Sequence, residues 1–281
     1  MGDLFVRYTE FKSKTLKNSS FKDLKRTFKH LSDFPTTEIS PSAAKQIRAH
    51  LLTTLSQETA RRVLQQVSAC CRWASEMGII DLNPFEGLAT IKRKKQGSEI
   101  HPFTRDERDR ILARFNSEPI HQAFAPYVGF LFLTGCRPSE AIGLQWRHVN
   151  CEFITFAEPV VEGFRESTTK NASIRRFPIN KSLADLLESI KPAESTPNSP
   201  VFVSSGGGMI RQENFNRRHW RPVLDALEIP YRRPYNTRHT FATLCLDAGV
   251  PVQQVASWLG HSPTMTLKHY AGLTRSEVPE L

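Results

Sequence analysis

The sequence predicts a mainly α protein with a small antiparallel β-sheet, an α+β chain in two domains, and three observations carry that expectation. Apolar residues recur at helical spacing through most of the chain, as in Ala60, Val63, Val67, Cys70, Ala74 and Met77. Period-two alternation is confined to short stretches around residues 153–161 and 173–179. A run without apolar period, Ile91-Lys92-Arg93-Lys94-Lys95-Gln96-Gly97, separates a purely helical part from a mixed one. The expected division is therefore a helical domain over 1–90, a basic linker over 91–103 and a second domain over 104–281.

In chain order, residues Leu4 to Phe34 read as one or two lysine-rich helices with Leu24, Phe28 and Leu31 as their buried stripe. Ser40-Pro41 is an N-cap with proline behind it and starts a helix over Ala43–Leu55. Ser56 opens the longest helix, which Gly78 closes, and Asn83-Pro84 ends the bundle. Thr104 with Glu107 is a capping box that starts the second domain. Ile120–Thr134 is strongly apolar and is expected as one central helix, kinked at Pro126 and stopped by Gly135. Pro138 opens a short helix through Leu144.

Phe153–Phe156, Val160–Val161 and Ser173–Ile179 supply the strands, with Lys170 at the tip of a hairpin over Glu166–Asn171. A helix over Asn180–Ile190, a short strand at Val201–Val203 and a basic helix over Arg211–Leu227 follow. Gly206-Gly207-Gly208 lacks the Gly-Lys-Ser/Thr that a phosphate loop needs, so no nucleotide site is expected. Two further helices are predicted, over Thr237–Ala248 (Phe241, Leu244, Cys245 and Ala248 inward, Gly249 as stop) and Pro251–Leu259 (Val252, Val255, Ala256 and Leu259 inward, Gly260 as stop). Ser262-Pro263 then starts a short helix that carries Tyr270.

A formal net charge of +10 implies a polyanionic partner, with nucleic acid ahead of an acidic membrane surface. The surplus is concentrated in Met1–Ile100, with 17 Lys/Arg against 10 Asp/Glu, compared with 21 against 18 in the remainder. No apolar run approaches the ~20 residues that span a bilayer. Five cysteines without C-x-x-C spacing read as buried thiols in a reducing cytoplasm, so the expected location is cytoplasmic. His261 and His269 have neither a third ligand nor helical spacing, so no metal and no cofactor are expected.

The stretch from Tyr235 to Tyr270 reads YNTRHTFATLCLDAGVPVQQVASWLGHSPTMTLKHY. Its T-R-H-T-F-A-T, its L-G-H-S and the tyrosine nine residues beyond His261 resemble the C-terminal signature of the tyrosine recombinase (phage integrase) family. The run T-G-C-R-P-S-E-A-I-G-L resembles the family's first-arginine motif, and the T-K of residues 169–170 with the later R-F-P-I resembles its catalytic-lysine hairpin. The helical part, ending WASEMGIIDLNPFEGL, resembles the family's core-binding domain. One departure is plain: Tyr235 stands where the family usually has a histidine.

The resemblance implies a helical core-binding domain and a catalytic domain around duplex DNA, with cutting and rejoining through a 3′-phosphotyrosine intermediate. It implies Arg137 and Arg238 as phosphate-holding forks, Tyr270 as nucleophile, Lys170 as acid toward the 5′-oxygen, and His261 as a phosphate or proton partner. Tyr235 is the doubtful member: its phenol is a poor base at neutral pH but can hydrogen-bond or orient. Glu140, three residues after Arg137, is placed to orient that guanidinium. Lys92, Arg93, Lys94, Lys95, Arg217, Arg218, Arg232 and Arg233 are candidate phosphate contacts. Partners implied are double-stranded DNA with a specific target site, a homotetramer on two such sites and an accessory DNA-bending protein. His239, His269 and Cys136 read as structural residues. Two other readings stay open: a relaxing topoisomerase of type IB chemistry, and a DNA-binding remnant that no longer cuts.

Overall fold

The structure, a computed structural model, describes residues 2–16, 18–32, 34, 39–90, 100–161, 163–165 and 174–270, and at 18, 19, 32 and 268–270 it describes the backbone alone. The chain forms two compact units, Met1–Gly97 and Ser98–Leu281, each with its own apolar core. Its class is mainly helical with small antiparallel sheets. No helix among the described residues is long and apolar enough to cross a membrane.

The first unit holds α1 (Gly2–Ser13), α2 (Asn18–Ser32), α3 (Pro41–Thr54) and α4 (Gln57–Glu76). α3 and α4 begin on serine caps, the Ser40 and Ser56 hydroxyls accepting from the Ala43 and Thr59 amides. α4 is the spine: Ala60, Val63, Leu64, Val67, Cys70, Cys71 and Ala74 are buried against the other three helices. Phe28 stacks on Phe5 between α2 and α1. Met77 does not continue the buried face, being 62% exposed. The helix stops at Glu76, and Gly78 at φ +68° turns the chain away before another turn is completed.

The second unit opens with α5 (Arg105–Ser117), where Thr104 and Glu107 cap each other reciprocally. The single helix expected over 120–134 is instead one turn, α6 (Pro119–Gln122), followed by α7 (Ala125–Thr134). Pro126 causes the break: lacking an N–H, it sits in the first turn of a new helix, where no donor is called for, rather than kinking an old one. Ile120 is left 69% exposed, while α7 is buried almost all round. Gly135 caps α7 in the left-handed region at φ +58°. α8 (Pro138–Gly143) and a 3-10 turn at Trp146–His148 follow.

The β content lies in two separate antiparallel pairs. β1 (Phe153–Phe156) pairs with β4 (Arg175–Pro178), Phe156 opposite Arg175, and β2 (Val160–Val161) pairs with β3 (Phe164–Arg165). Alternation along β4 puts Arg175 and Phe177 inside and Arg176 and Pro178 outside. α9 (Lys181–Ile190), capped by Asn180, packs on α7. Val201–Val203 is not a strand: Val201 donates to the Leu144 carbonyl and Pro200 bridges Gln145, but no neighbouring strand extends the ladder.

The basic stretch is α10 (Gln212–Phe215), a π-helical turn over Asn216–Trp220, and α11 (Arg221–Ala226). Pro222 cannot donate to a carbonyl four residues back, and the ladder slips by one residue just ahead of it.

α12 (Asn236–Asp247), α13 (Val252–Leu259) and α14 (Pro263–Tyr270) complete the unit. The buried face of α12 is displaced toward its start: Thr237, Arg238, Thr240, Phe241 and Ala242 are buried, Leu244 and Cys245 half-buried, and Ala248 exposed. The first two turns dock on α7 and on Phe103, whose amide donates to the Thr240 hydroxyl, and the helix then runs outward. Val255, Ala256 and Leu259 of α13 are buried, with Val252 half-buried.

Gly135 joins α7 to the rest of the unit tightly. A Cβ there would lie 2.5 Å from Phe241 Cδ1, and the backbone is already in the region that disfavours side chains. Gly135→Ala is therefore expected to destabilise the second unit by about 2–4 kcal/mol, from strain and overpacking together, read as a lowered urea midpoint.

Candidate active site

Arg238 is the buried centre of a cluster at the ends of α7, α8, α12 and α13. Its side chain is fully buried. Nη1 donates to the Gly135 carbonyl at 2.9 Å and Nη2 to the Leu259 carbonyl, so two helix C-termini turn their carbonyls onto one guanidinium. Nη2 also donates to His261 Nε2 at 2.8 Å. Arginine has only donors, so this bond engages the Nε2 lone pair and leaves the imidazole neutral with its proton on Nδ1. Burial pulls the Arg238 pKa down to about 10, still far above neutrality, so the group is a buried cation.

Arg137 precedes α8, its side chain 40% exposed. Its Nη1 donates to Glu140 Oε1 at 2.8 Å, and its own amide donates to Glu140 Oε2 at 2.7 Å. Burial works against its charge, but Glu140 first and Tyr235 after it outweigh burial and raise its pKa. Tyr235 sits at the start of α12 with its ring edge-on to His239, the centroids 5.4 Å apart. Arg238 lies within electrostatic reach of Tyr235, Arg137 and Glu140. The structure thus brings Arg137, Glu140, Tyr235, Arg238 and His261 together.

Glu140 is nearly buried and takes a second guanidinium. Arg175 Nη1 and Nη2 each donate to one of its oxygens at 2.7 Å, and Arg175 Nε donates to the Trp258 carbonyl at 2.8 Å. Burial alone would raise the Glu140 carboxyl, but the bonds from Arg175 and Arg137 hold it down at about 2. Arg175 escaped the reading of the sequence. The signal was present, since alternation along its strand put a charged residue on the inward side, where only a partnered charge is tolerated. An open cleft of about 710 Å3 lies beside the cluster, lined by Ile174, Arg175, Arg176, Ser257, Gly260, His261 and Ser262.

Other residues singled out above are distributed differently. Tyr270 closes α14, a helix started by the Ser262 hydroxyl accepting from the Met265 amide, and its side chain lies outside what is described, as does that of His269. Lys170 and the basic run Lys92, Arg93, Lys94 and Lys95 also lie outside the described residues. Arg217, Arg218 and Arg233 are exposed. Arg232 is a strut instead of part of an open strip: it forms a two-bond pair with Glu107, donates to the Pro102 carbonyl and stacks on Phe103 at 4.5 Å. Burial pushes the Cys136 thiol up to about 12, which leaves it unreactive at neutral pH.

Comparisons with known proteins agree on both units. The profile of the phage integrase family matches residues 101–277, and that of the phage integrase SAM-like domain matches residues 2–95. Tyrosine recombinase XerC of Pelobacter propionicus is 22% identical over 271 residues, 91% of this chain and 85% of its own length. A XerC-like tyrosine recombinase of Caldanaerobacter subterraneus is 26% identical over 242 residues, 74% of this chain and 60% of its own length. The Tn1549 transposon integrase, solved in complex with a circular intermediate DNA, superposes with a TM-score of 0.77 at 17% identity, over 99% of this chain and 95% of that one. A lambda integrase tetramer bound to a Holliday junction superposes with a TM-score of 0.70 at 14% identity, over 92% of this chain and 76% of that one.

The Glu140 carboxyl makes stability acid-sensitive in a definite window. Its folded pKa lies below the usual 4.5, so its contribution is fully present above 4.5 and is lost as pH falls toward 2. Glu140→Gln is expected to cost about 3 kcal/mol at pH 7 and to lose less stability than the wild type between pH 4.5 and 2. Urea unfolding at pH 7 and pH 3 reads both effects.

Proposed function

Since the chain belongs to the phage integrase family, we propose that it is a site-specific DNA recombinase that cuts and rejoins duplex DNA through a 3′-phosphotyrosine intermediate. The observation that carries the reading is the convergence of Arg137 and Arg238, a hundred residues apart, beside Tyr235 and His261. The cluster is built to keep its positive charge. The partners of Arg238 are two neutral carbonyls and an imidazole, and the first turn of α12, which carries it, adds the positive end of a helix dipole. A phosphodiester between the two forks has its non-bridging oxygens stabilised as charge builds at phosphorus.

In the reaction proposed, the Tyr270 phenol gives its proton to water as its oxygen attacks the scissile phosphorus and forms a new P–O bond. The bond to the 5′-oxygen breaks, and that oxygen leaves as a hydroxyl after taking a proton from Lys170. One ester replaces another, so rejoining is the reverse attack by a 5′-hydroxyl and consumes no ATP. With Nε2 engaged by Arg238, His261 is suited to donate a hydrogen bond from Nδ1 and not to accept a proton. Tyr235, within interaction range of Arg137, acts in this reading by hydrogen-bonding that guanidinium and not as a base.

The exposed Arg217, Arg218 and Arg233, with the basic run over 92–95, are proposed as further phosphate contacts. Arg232 is left out of that set because its fork is occupied by Glu107. The working assembly proposed is a homotetramer on two DNA sites. The solved tetramer of lambda integrase on a Holliday junction, which shares this fold, supports that assembly.

Incubation with a nicked suicide duplex carrying a candidate target site should give a denaturation-resistant protein–DNA adduct with wild type and none with Tyr270→Phe. EDTA should leave the yield unchanged. Arg137→Lys and Arg238→Lys are expected to slow adduct formation roughly a hundred- to a thousandfold with binding retained, and Tyr235→Phe by roughly tenfold, the cost of one hydrogen bond to a charged group. A bound site that yields no adduct with wild type would falsify the cutting activity. Paired sites and supercoiled plasmid, compared side by side, separate recombination from simple relaxation.

A further inference from the structure

Arg175 lies behind the phosphate-holding arginines, and its partners connect the two sides of the cluster. Its side chain is 8% exposed. The two-bond pair with Glu140 ties it to the segment of Arg137, and the bond to the Trp258 carbonyl ties it to the end of α13, just before His261. Its guanidinium stacks on Phe156 at 4.3 Å, and its stem runs so close beneath Gly260 that a Cβ there would lie 3.2 Å from Arg175 Cδ. Each nitrogen of the guanidinium donates one of these bonds.

The charges explain the commitment. Glu140 holds Arg137 by two bonds, one to the guanidinium and one to the backbone amide. A carboxylate paired with Arg137 alone would cancel that cation where a phosphate has to bind, and in a partly buried site the cancellation is poorly screened. Arg175 brings a second positive charge onto the same carboxylate from the interior. Two guanidinium groups then share one carboxylate, and the side facing the cleft keeps its positive charge.

We propose that Arg175 is a positioning residue of the phosphate site: it balances Glu140 from within the domain, so that Glu140 fixes Arg137 without neutralising it. This rests on reading the cluster as a phosphodiester site. Arg175 touches no reacting atom, and its effect passes through Glu140 to Arg137. Had its role been packing alone, an apolar side chain beside Phe156 and Phe177 would fill the space without needing a charge partner.

The test compares the full-length wild type with Arg175→Lys, Arg175→Gln, Glu140→Gln and the double variant Arg175→Gln/Glu140→Gln, each checked for folding by circular dichroism and thermal unfolding. Two readouts are taken. One is the rate of covalent adduct formation on the nicked duplex. The other is the dependence of affinity on salt, measured by fluorescence anisotropy with a labelled duplex of arbitrary sequence.

Arg175→Gln is expected to slow adduct formation roughly a hundredfold and to lower the salt slope by about one phosphate contact, with Arg175→Lys falling between it and the wild type. The double variant, which loses the carboxylate charge as well, should recover roughly tenfold of the rate and the whole of the slope. A folded double variant as slow as Arg175→Gln, or slopes that never change, overturns the proposal. Should Arg175→Gln alone fail to fold, Glu140→Gln and the double variant carry the comparison. With the carboxylate already neutral, losing Arg175 should cost less than roughly threefold, and a loss above roughly tenfold overturns the idea. A wild type that forms no adduct sinks the recombinase reading alone, and the salt slopes still decide the role of Arg175: a fall that the double variant restores supports it, and any other pattern overturns it.

Discussion

The second unit is arranged around one buried cation that has no carboxylate in direct contact among the described residues. Arg238 is fully enclosed, and a charge in that position is tolerated only if the surrounding dipoles replace water. The replacement is the carbonyl of Gly135 at the end of α7 and that of Leu259 at the end of α13. Helix C-termini carry unpaired carbonyls and a partial negative charge in any case, so the same contact settles two difficulties. Both stop residues, Gly135 and Gly260, are in the left-handed conformation that ends a helix abruptly, which lets the carbonyls converge. The position of α12 between those ends follows from where its arginine has to sit.

Around that centre the protein separates holding from neutralising. Neutral dipoles hold Arg238, which keeps its charge. A carboxylate holds Arg137, and that carboxylate is balanced from the other side by Arg175. Tyr235 lies near enough to Arg137 to favour its charge further. The result is an anion-seeking surface of fixed geometry, the kind of preorganised electrostatics that stabilises charge developing on a phosphorus centre without reorganising.

Much of the fold was legible because its signals are local. Ser40-Pro41, Ser56, the Thr104–Glu107 box, Asn180 and the glycine stops mark helix ends by chemistry contained within four residues, and the structure has helices ending there. The expectations that failed turn on where a proline sits, on where a helix leaves the core and on partners distant in sequence. A single helix over 120–134 ignored that Pro126 fits better as a beginning. Val201–Val203 has strand-forming residues but no strand beside it. Met77 and Ala248 follow the apolar period one step past the point where their helices leave the core. The candidate site divides the same way. Resemblance pointed to Arg137, Arg238 and His261, whereas the buried role of Arg175 and the pairing of Arg232 with Glu107 depend on residues 35 and 125 positions away.

The contact between Gly135 and Phe241 also bears on how such chains diverge. The segment that ends α7 and the segment that begins α12 are far apart in sequence, yet one is hollowed to receive the ring that the other carries. They have to fit as a matched pair. A chimera that takes residues around 134–144 from one relative and residues around 235–248 from another inherits the fit only if the donor of the first keeps the glycine wherever the donor of the second keeps the ring. Exchange of segments between relatives is thereby constrained at a junction that also supplies one of the carbonyls holding Arg238.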